Sequence, residues 1–407
     1  MRVPSALRTV VFLVVVAAVT AALVARLAGS GDDGAAPAGP GSTIAVAPAA
    51  PRDPARPTPA PAQAPTPAPA PLLPDARTPL PAIVRSPCFG AASEDPRAPC
   101  RNLRLATTVF PTPATAKAAQ RQEGCRRSYD DGLLRICLWG AVAAPGRRTV
   151  ALVGDSHASH WRAALGDVVR TRGWRAVSIS RAGCPLTLAR PLFRRPGQAA
   201  QCEAWNRQVQ RWIAAHRAIS VVFTGAHRIR VVPAGGETAI AARRAGYVRA
   251  WHELLRSSGV RHVVVLRDTP RTTAAALTCV GTAVATHADA GAECALPRRV
   301  ALPPDPASRA ARSLRSPQIQ VADLSRFFCG PAVCRPVIGG ALVLRDVSHM
   351  TTTFSATLGP YLLRTVDRLA TAWPAAAKHA LEAAALAKAR TATTRPVRAA
   401  RARRSSR

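Results

Sequence analysis

Between residues 150 and 371 the chain alternates short apolar runs with longer stretches of helical periodicity, and this alternation leaves few folds open. Residues 150–153 read as a strand that ends at Gly154, 159–172 as a helix and 174–180 as a second strand. Residues 202–216 read as a helix, 219–224 as a strand, 238–257 as a helix and 260–266 as a strong strand. A later strand is expected at 319–324, and a helix over 354–371 closes the domain. Strand, helix, strand in series makes a mostly parallel sheet covered by helices on both faces, an α/β fold. Ligands of such folds bind where the loops converge, at the carboxyl ends of the strands. Residues 272–316 read as a long insertion, a surface loop tied by Cys279 and Cys294.

The ends of the chain lack what a core needs. Residues 9–25 form an uncharged, largely apolar run, preceded by Arg2 and Arg8 and followed by Arg26. Seventeen residues is the lower limit for a membrane-spanning helix and long for a signal-peptide core. No small-x-small cleavage site follows cleanly, so the run reads as an uncleaved anchor rather than a cleaved signal. The arginines before it place residues 1–8 in the cytoplasm and the rest of the chain outside. From Pro37 to Pro81, 15 of 45 residues are proline, which suits an extended spacer with no core of its own. The tail carries Arg395, Arg398, Arg401, Arg403, Arg404 and Arg407 with no acid to oppose them. The organisation expected is a cytoplasmic start (1–8), an anchor or signal (9–28), a Pro/Ala-rich linker (29–84), one catalytic domain (85–374) and a basic, largely disordered tail (375–407).

The ten cysteines agree with export: Cys88, Cys100, Cys125, Cys137, Cys184, Cys202, Cys279, Cys294, Cys329 and Cys334. An even number suits a compartment where disulfides persist. Sequence does not fix their connectivity; five pairs of sequence neighbours is the expected arrangement. A metal site would need Cys-x-x-Cys or tight Cys/His spacing, and neither occurs, so no metal and no cofactor is expected. The formal net charge of +34 raises nucleic acid as a partner. Aromatic residues are only 4% of the chain and no nucleic-acid motif interleaves with the charge, which favours a solvated basic surface or contact with anionic envelope polymers.

The chemistry concentrates in two stretches. Gly154-Asp155-Ser156-His157 follows the first strand of the alternation and precedes a helix. A serine there projects into the site where loops meet, and the helix terminus adds backbone donors for a developing oxyanion. A serine that merely caps the helix fits the same stretch. Asp346-Val347-Ser348-His349 decides between them, because an Asp-x-x-His turn presents both side chains to one partner. His349 then takes the Ser156 proton while Asp346 holds the other ring nitrogen. His157 and His160 lie close in sequence, but a residue adjacent to the nucleophile points elsewhere as the turn enters a helix. Asp155 is expected to brace the loop through backbone hydrogen bonds. Asp155, His157 and Gly225 are candidate supports of the site, and Arg228, Arg267 and Arg271 candidate contacts for an anionic glycan.

At these two stretches the chain resembles the SGNH, or GDSL-like, hydrolase superfamily. It is most similar to the extracytoplasmic SGNH domain fused to acyltransferase-3 membrane proteins, which O-acetylate cell-surface polysaccharides. The likeness takes in Ala182-Gly183-Cys184-Pro185 and Thr269-Pro270-Arg271 and spans roughly residues 85 to 372. It implies a three-layer α/β/α, doubly wound, flavodoxin-like fold, a Ser156, Asp346, His349 triad, and an oxyanion hole from the backbone N–H groups of Ser156 and Gly183. A glycine after a strand also lets backbone approach a substrate, or simply turns the chain. The superfamily's Gly-x-Asn-Asp block is missing: the chain has Thr224-Gly225-Ala226-His227-Arg228 in its place, leaving the third oxyanion donor unassigned.

Three functions follow as expectations. The first is transfer of an acetyl or similar acyl group onto an envelope polysaccharide through acyl-Ser156. The second is an esterase that removes such groups, and the third a binding module on a retained fold. Activated acetyl groups are made in the cytoplasm, so a transferase outside depends on a multi-pass membrane acyltransferase as donor.

Overall fold

The run Val150-Ala151-Leu152-Val153 lies at the centre of a seven-stranded sheet. In the computed structural model the described residues are 82–118, 127–131, 133–140 and 148–373. The expected anchor, nearly all of the linker, the basic tail and Cys125 lie outside them. The strands are β1 (Arg127–Asp131), β2 (Leu134–Gly140), β3 (Thr149–Gly154), β4 (Arg175–Ser180), β5 (Ile219–Gly225), β6 (His262–Leu266) and β7 (Ile319–Ala322). Their spatial order is β1-β2-β4-β3-β5-β6-β7. The five strands from β4 to β7 run parallel, in the order second, first, third, fourth, fifth along the chain. The order reverses beside β3, which opens a crevice at its carboxyl end.

Period-two alternation explains why both faces need cover. Val150 and Leu152 of β3, Val221 and Phe223 of β5, and Val264 and Leu266 of β6 enter one apolar cluster. Ala151, Val153, Val222, Val263 and Val265 enter the other. The first face is covered by helices Arg162–Thr171, Thr352–Thr357 and Gly359–Ala370, through Leu165, Val168, Phe354 and Leu362. The second is covered by helices Gln198–Ala215, Ala239–Ser257 and Pro306–Leu314, through Trp205, Ile213, Trp251, Leu254 and Ala310. Each of the larger side chains contributes roughly 2–3 kcal/mol by leaving water.

Some expectations need correction. Residues 272–316 are not a surface loop but four helical segments: Ala274–Ala285, Ala290–Glu293, Arg298–Ala301 and Pro306–Leu314. Oxygens of Thr273, Asp289 and Asp305 accept from the first free N–H groups of three of them, and alanine fills the turns between. The last is the crossover that carries the chain from β6 to β7. Cys279–Cys294 ties the first two together. The closing helix divides at Leu358 into Thr352–Thr357 and Gly359–Ala370. The antiparallel hairpin β1–β2, paired to β4, extends the sheet at one edge. Leu134, Ile136 and Leu138 alternate along β2, a pattern too short to single out from sequence.

Among the described residues four disulfides join sequence neighbours: Cys88–Cys100, Cys184–Cys202, Cys279–Cys294 and Cys329–Cys334. Cys137 is also disulfide-bonded. Among the described residues no helix is long and apolar enough to cross a membrane.

Candidate active site

The carboxyl end of β3 is packed too closely for side chains. A Cβ on Gly154 would stand 2.4 Å from the Gly225 carbonyl oxygen, and one on Gly225 2.9 Å from that of His157. This contact seats the end of β5 against the short helix Ser156–Ser159. Asp155, fully buried, caps that helix: one carboxylate oxygen accepts the His157 backbone N–H at 2.8 Å, the other the His227 N–H at 2.8 Å. Burial pushes its pKa up to about 6, against the pull of His157 and the two N–H groups.

Ser156 Oγ lies 2.8 Å from Nε2 of His349, and Nδ1 of His349 lies 2.9 Å from both Asp346 carboxylate oxygens. The Asp346 turn is self-shaped, because one of those oxygens also accepts the backbone N–H groups of Ser348 and His349. Burial would raise the Asp346 pKa, but these hydrogen bonds and the neighbouring His349 outweigh it and hold the group far below the usual carboxylate range. His160, buried behind the nucleophile, joins the two segments: its Nδ1 accepts the Met350 N–H at 3.3 Å and its carbonyl accepts the Ser355 hydroxyl at 2.7 Å. Burial holds its imidazole well below the ordinary histidine range, so it is neutral.

A second histidine–carboxylate pair, invisible in the sequence, stands beside the first. His157 Nδ1 lies 2.6 Å from Asp268, on the loop after β6. Burial lowers the His157 pKa, but Asp268 and Asp155 outweigh it, so the value is raised. The His157 ring is the hub of four imidazoles, with centroids 5.0 Å from His160, 4.6 Å from His227 and 5.1 Å from His349. His227 is half-buried; burial, then the charges on His157 and Arg271, lower its pKa to about 4. Its Nδ1 faces Arg271 Nη2 at 3.4 Å.

Ligand atoms of His157, His160 and Asp268 fall within 4.8 Å of one another, a donor set that chain spacing did not show. The hydrogen bonds disfavour a cation there. His157 Nδ1 is engaged with Asp268, and because Met350 donates to His160 Nδ1, the proton of His160 sits on Nε2, which is buried without a partner.

Other sequence candidates fall variously. Gly183 lies on the turn after β4, next to β3, with φ +67° and open space beside its Cα. Arg271 reaches the imidazole cluster. Arg267 instead pairs with Asp323 at 3.6 Å, and Arg228 is exposed. Neither Asp268 nor His227 is marked by its spacing along the chain, since only the placing of β5 and β6 in the sheet brings them to the end of β3.

No curated protein matches the chain. Among solved structures, the periplasmic domain of a Salmonella ser. Paratyphi A lipopolysaccharide acetyltransferase aligns with 55% of this chain and 84% of its own, at 13% identity and a TM-score of 0.39. The model of the SGNH domain fused to AT3 domains matches residues 120–364, so the chain belongs to that SGNH family.

Proposed function

We propose that the protein is a serine acyl-transfer enzyme that moves an acetyl or similar group onto a hydroxyl of an envelope polysaccharide. The observation that carries this reading is the 2.8 Å contact between Ser156 Oγ and His349 Nε2, with Asp346 on the opposite ring nitrogen. As His349 takes the proton, Oγ bonds to the ester carbonyl carbon and the carbonyl electron pair moves onto oxygen. Collapse expels the donor alkoxide, which takes the proton from His349 and leaves acyl-Ser156. In the second half His349 removes the proton of the acceptor hydroxyl, whose oxygen attacks the acyl carbon; the acyl–Oγ bond breaks and Ser156 Oγ takes that proton back from His349.

The disulfides support an extracytoplasmic catalytic domain, and we extend the reading to a membrane anchor at 9–28 and to a separate multi-pass membrane protein as acyl donor. One observation favours a second reading, O-acyl ester hydrolysis: the side chains of His349 and Asp346 are 27% and 36% exposed, which leaves water a path to the acyl-enzyme.

Intact-mass measurement after exposure to p-nitrophenyl acetate tests both. The expected result is one acetyl group on Ser156 that persists in buffer and is discharged when the acceptor glycan is added, giving acylated glycan. Nitrophenolate release with rapid loss of the acyl group to water that no glycan captures selects hydrolysis, and an unmodified Ser156 with no nitrophenolate release sinks both readings.

A further inference from the structure

An acyl-transfer site must stabilise the negative charge that develops on the carbonyl oxygen, and fixed N–H donors do this at least cost. The end of β5 places one such donor in the cleft. His227 is bound on three sides. Its backbone N–H is held by Asp155, the residue before the nucleophile. Its ring faces His157, which follows the nucleophile. Its Nδ1 faces Arg271, on a loop whose Thr272 N–H donates to Val347 O and whose Thr269 hydroxyl reaches Ser348 O. Those acceptors belong to the Asp346–His349 turn. His227 therefore lies between the segment that carries Ser156 and the segment that carries its base.

The chemistry of the contact settles where the proton resides. A guanidinium has donors only, so Nδ1 of His227 must accept and the ring hydrogen sits on Nε2. Half-buried and low in pKa, the ring stays neutral through the physiological range. A neutral imidazole N–H polarises a carbonyl without competing with His349 for the role of acid or base.

Resting on the acyl-Ser156 reading above, we propose that His227 is a catalytic oxyanion donor, presenting Nε2–H to the carbonyl oxygen of the ester attacked by Ser156, with Arg271 as the positioning residue that fixes this tautomer. Three sequence-distant segments build the device: the Ser156 turn, the end of β5 and the loop after β6.

The test is the rate of Ser156 acetylation by p-nitrophenyl acetate in the full chain, followed by released nitrophenolate and by mass. Removing one oxyanion donor costs about 10²-fold, so His227→Ala is expected to slow acylation by about that factor with KM nearly unchanged. His227→Gln, whose amide N–H reaches about as far as Nε2, is expected to recover most of the rate, a rescue that a structural role does not predict. Arg271→Ala is expected to fall between them. Wild-type acylation in folded His227→Ala, or His227→Gln as slow as alanine, overturns the proposal while leaving the triad standing. Full turnover in Ser156→Ala overturns both. If the alanine variant does not fold, nitrogen-15 spectra of the unsubstituted protein decide: the expected signature is an Nε2–H tautomer that does not titrate between pH 5.5 and 8, and an Nδ1–H tautomer or a titrating ring overturns it.

Discussion

The Ser156 hydroxyl and the His349 imidazole are already in hydrogen-bond contact, so their removal should act on chemistry and hardly on folding. Ser156→Ala and His349→Ala are each expected to cost at least roughly 10³-fold in acetyl-ester turnover, with unchanged melting curves. Asp346→Asn should be slowed by a comparable factor, because an amide beside Nδ1 allows the wrong tautomer. An active, folded Ser156→Ala protein would contradict the assignment. The triad candidates were legible because two of them share one turn and the third follows an apolar strand. His227 and Asp268 were not, since the partners that tie them to the nucleophile segment are distant in the chain; His227 finds Asp155 72 positions away and Asp268 finds His157 111 away. Only the order of strands in the sheet makes them neighbours.

At the level of elements, the His157–Asp268 pair fastens the Ser156–Ser159 helix to the loop after β6, and its contribution depends on pH. His157 has a raised pKa in the folded chain, so the stabilisation is complete below the unfolded value near 6.5 and is lost as pH rises through the folded value. Asp268→Asn should therefore lower stability by on the order of 3 kcal/mol near pH 6 and by clearly less at pH 9. Denaturant midpoints at the two pH values check this, and an equal loss at both would show that charge is not the cause. Packing gives a second expectation. Leu165 is fully buried under the sheet, and Leu165→Ala should cost about 2–5 kcal/mol while leaving the triad geometry intact, read as a lowered melting temperature with near-normal turnover at 25 °C. The parallel strands were readable from apolar runs bounded by helical patterns. The helices within 272–316 were not, because their buried stripes are built mostly of alanine, as at Ala307, Ala310 and Ala311, and the hairpin β1–β2 depends on finding the β4 edge.

For the whole molecule the governing number is the excess of 56 basic over 22 acidic residues. Adsorption to an anionic polymer such as dextran sulfate should be strong at about 20 mM salt and largely gone at about 0.5 M, where charges are screened within a few ångströms. Turnover of a small neutral ester should change little over the same range, and salt-independent binding would point to contacts other than charge. The wide separation of the site's parts has a consequence in time. Ser156 and His349 lie 193 residues apart, and the base is seated only when the helices Thr352–Thr357 and Gly359–Ala370 dock against Arg162–Thr171. A chain threaded outward amino end first thus exposes its nucleophile long before it has a base. Until the final helices arrive, Ser156 is an ordinary alcohol, and the esters around the emerging chain are safe from it.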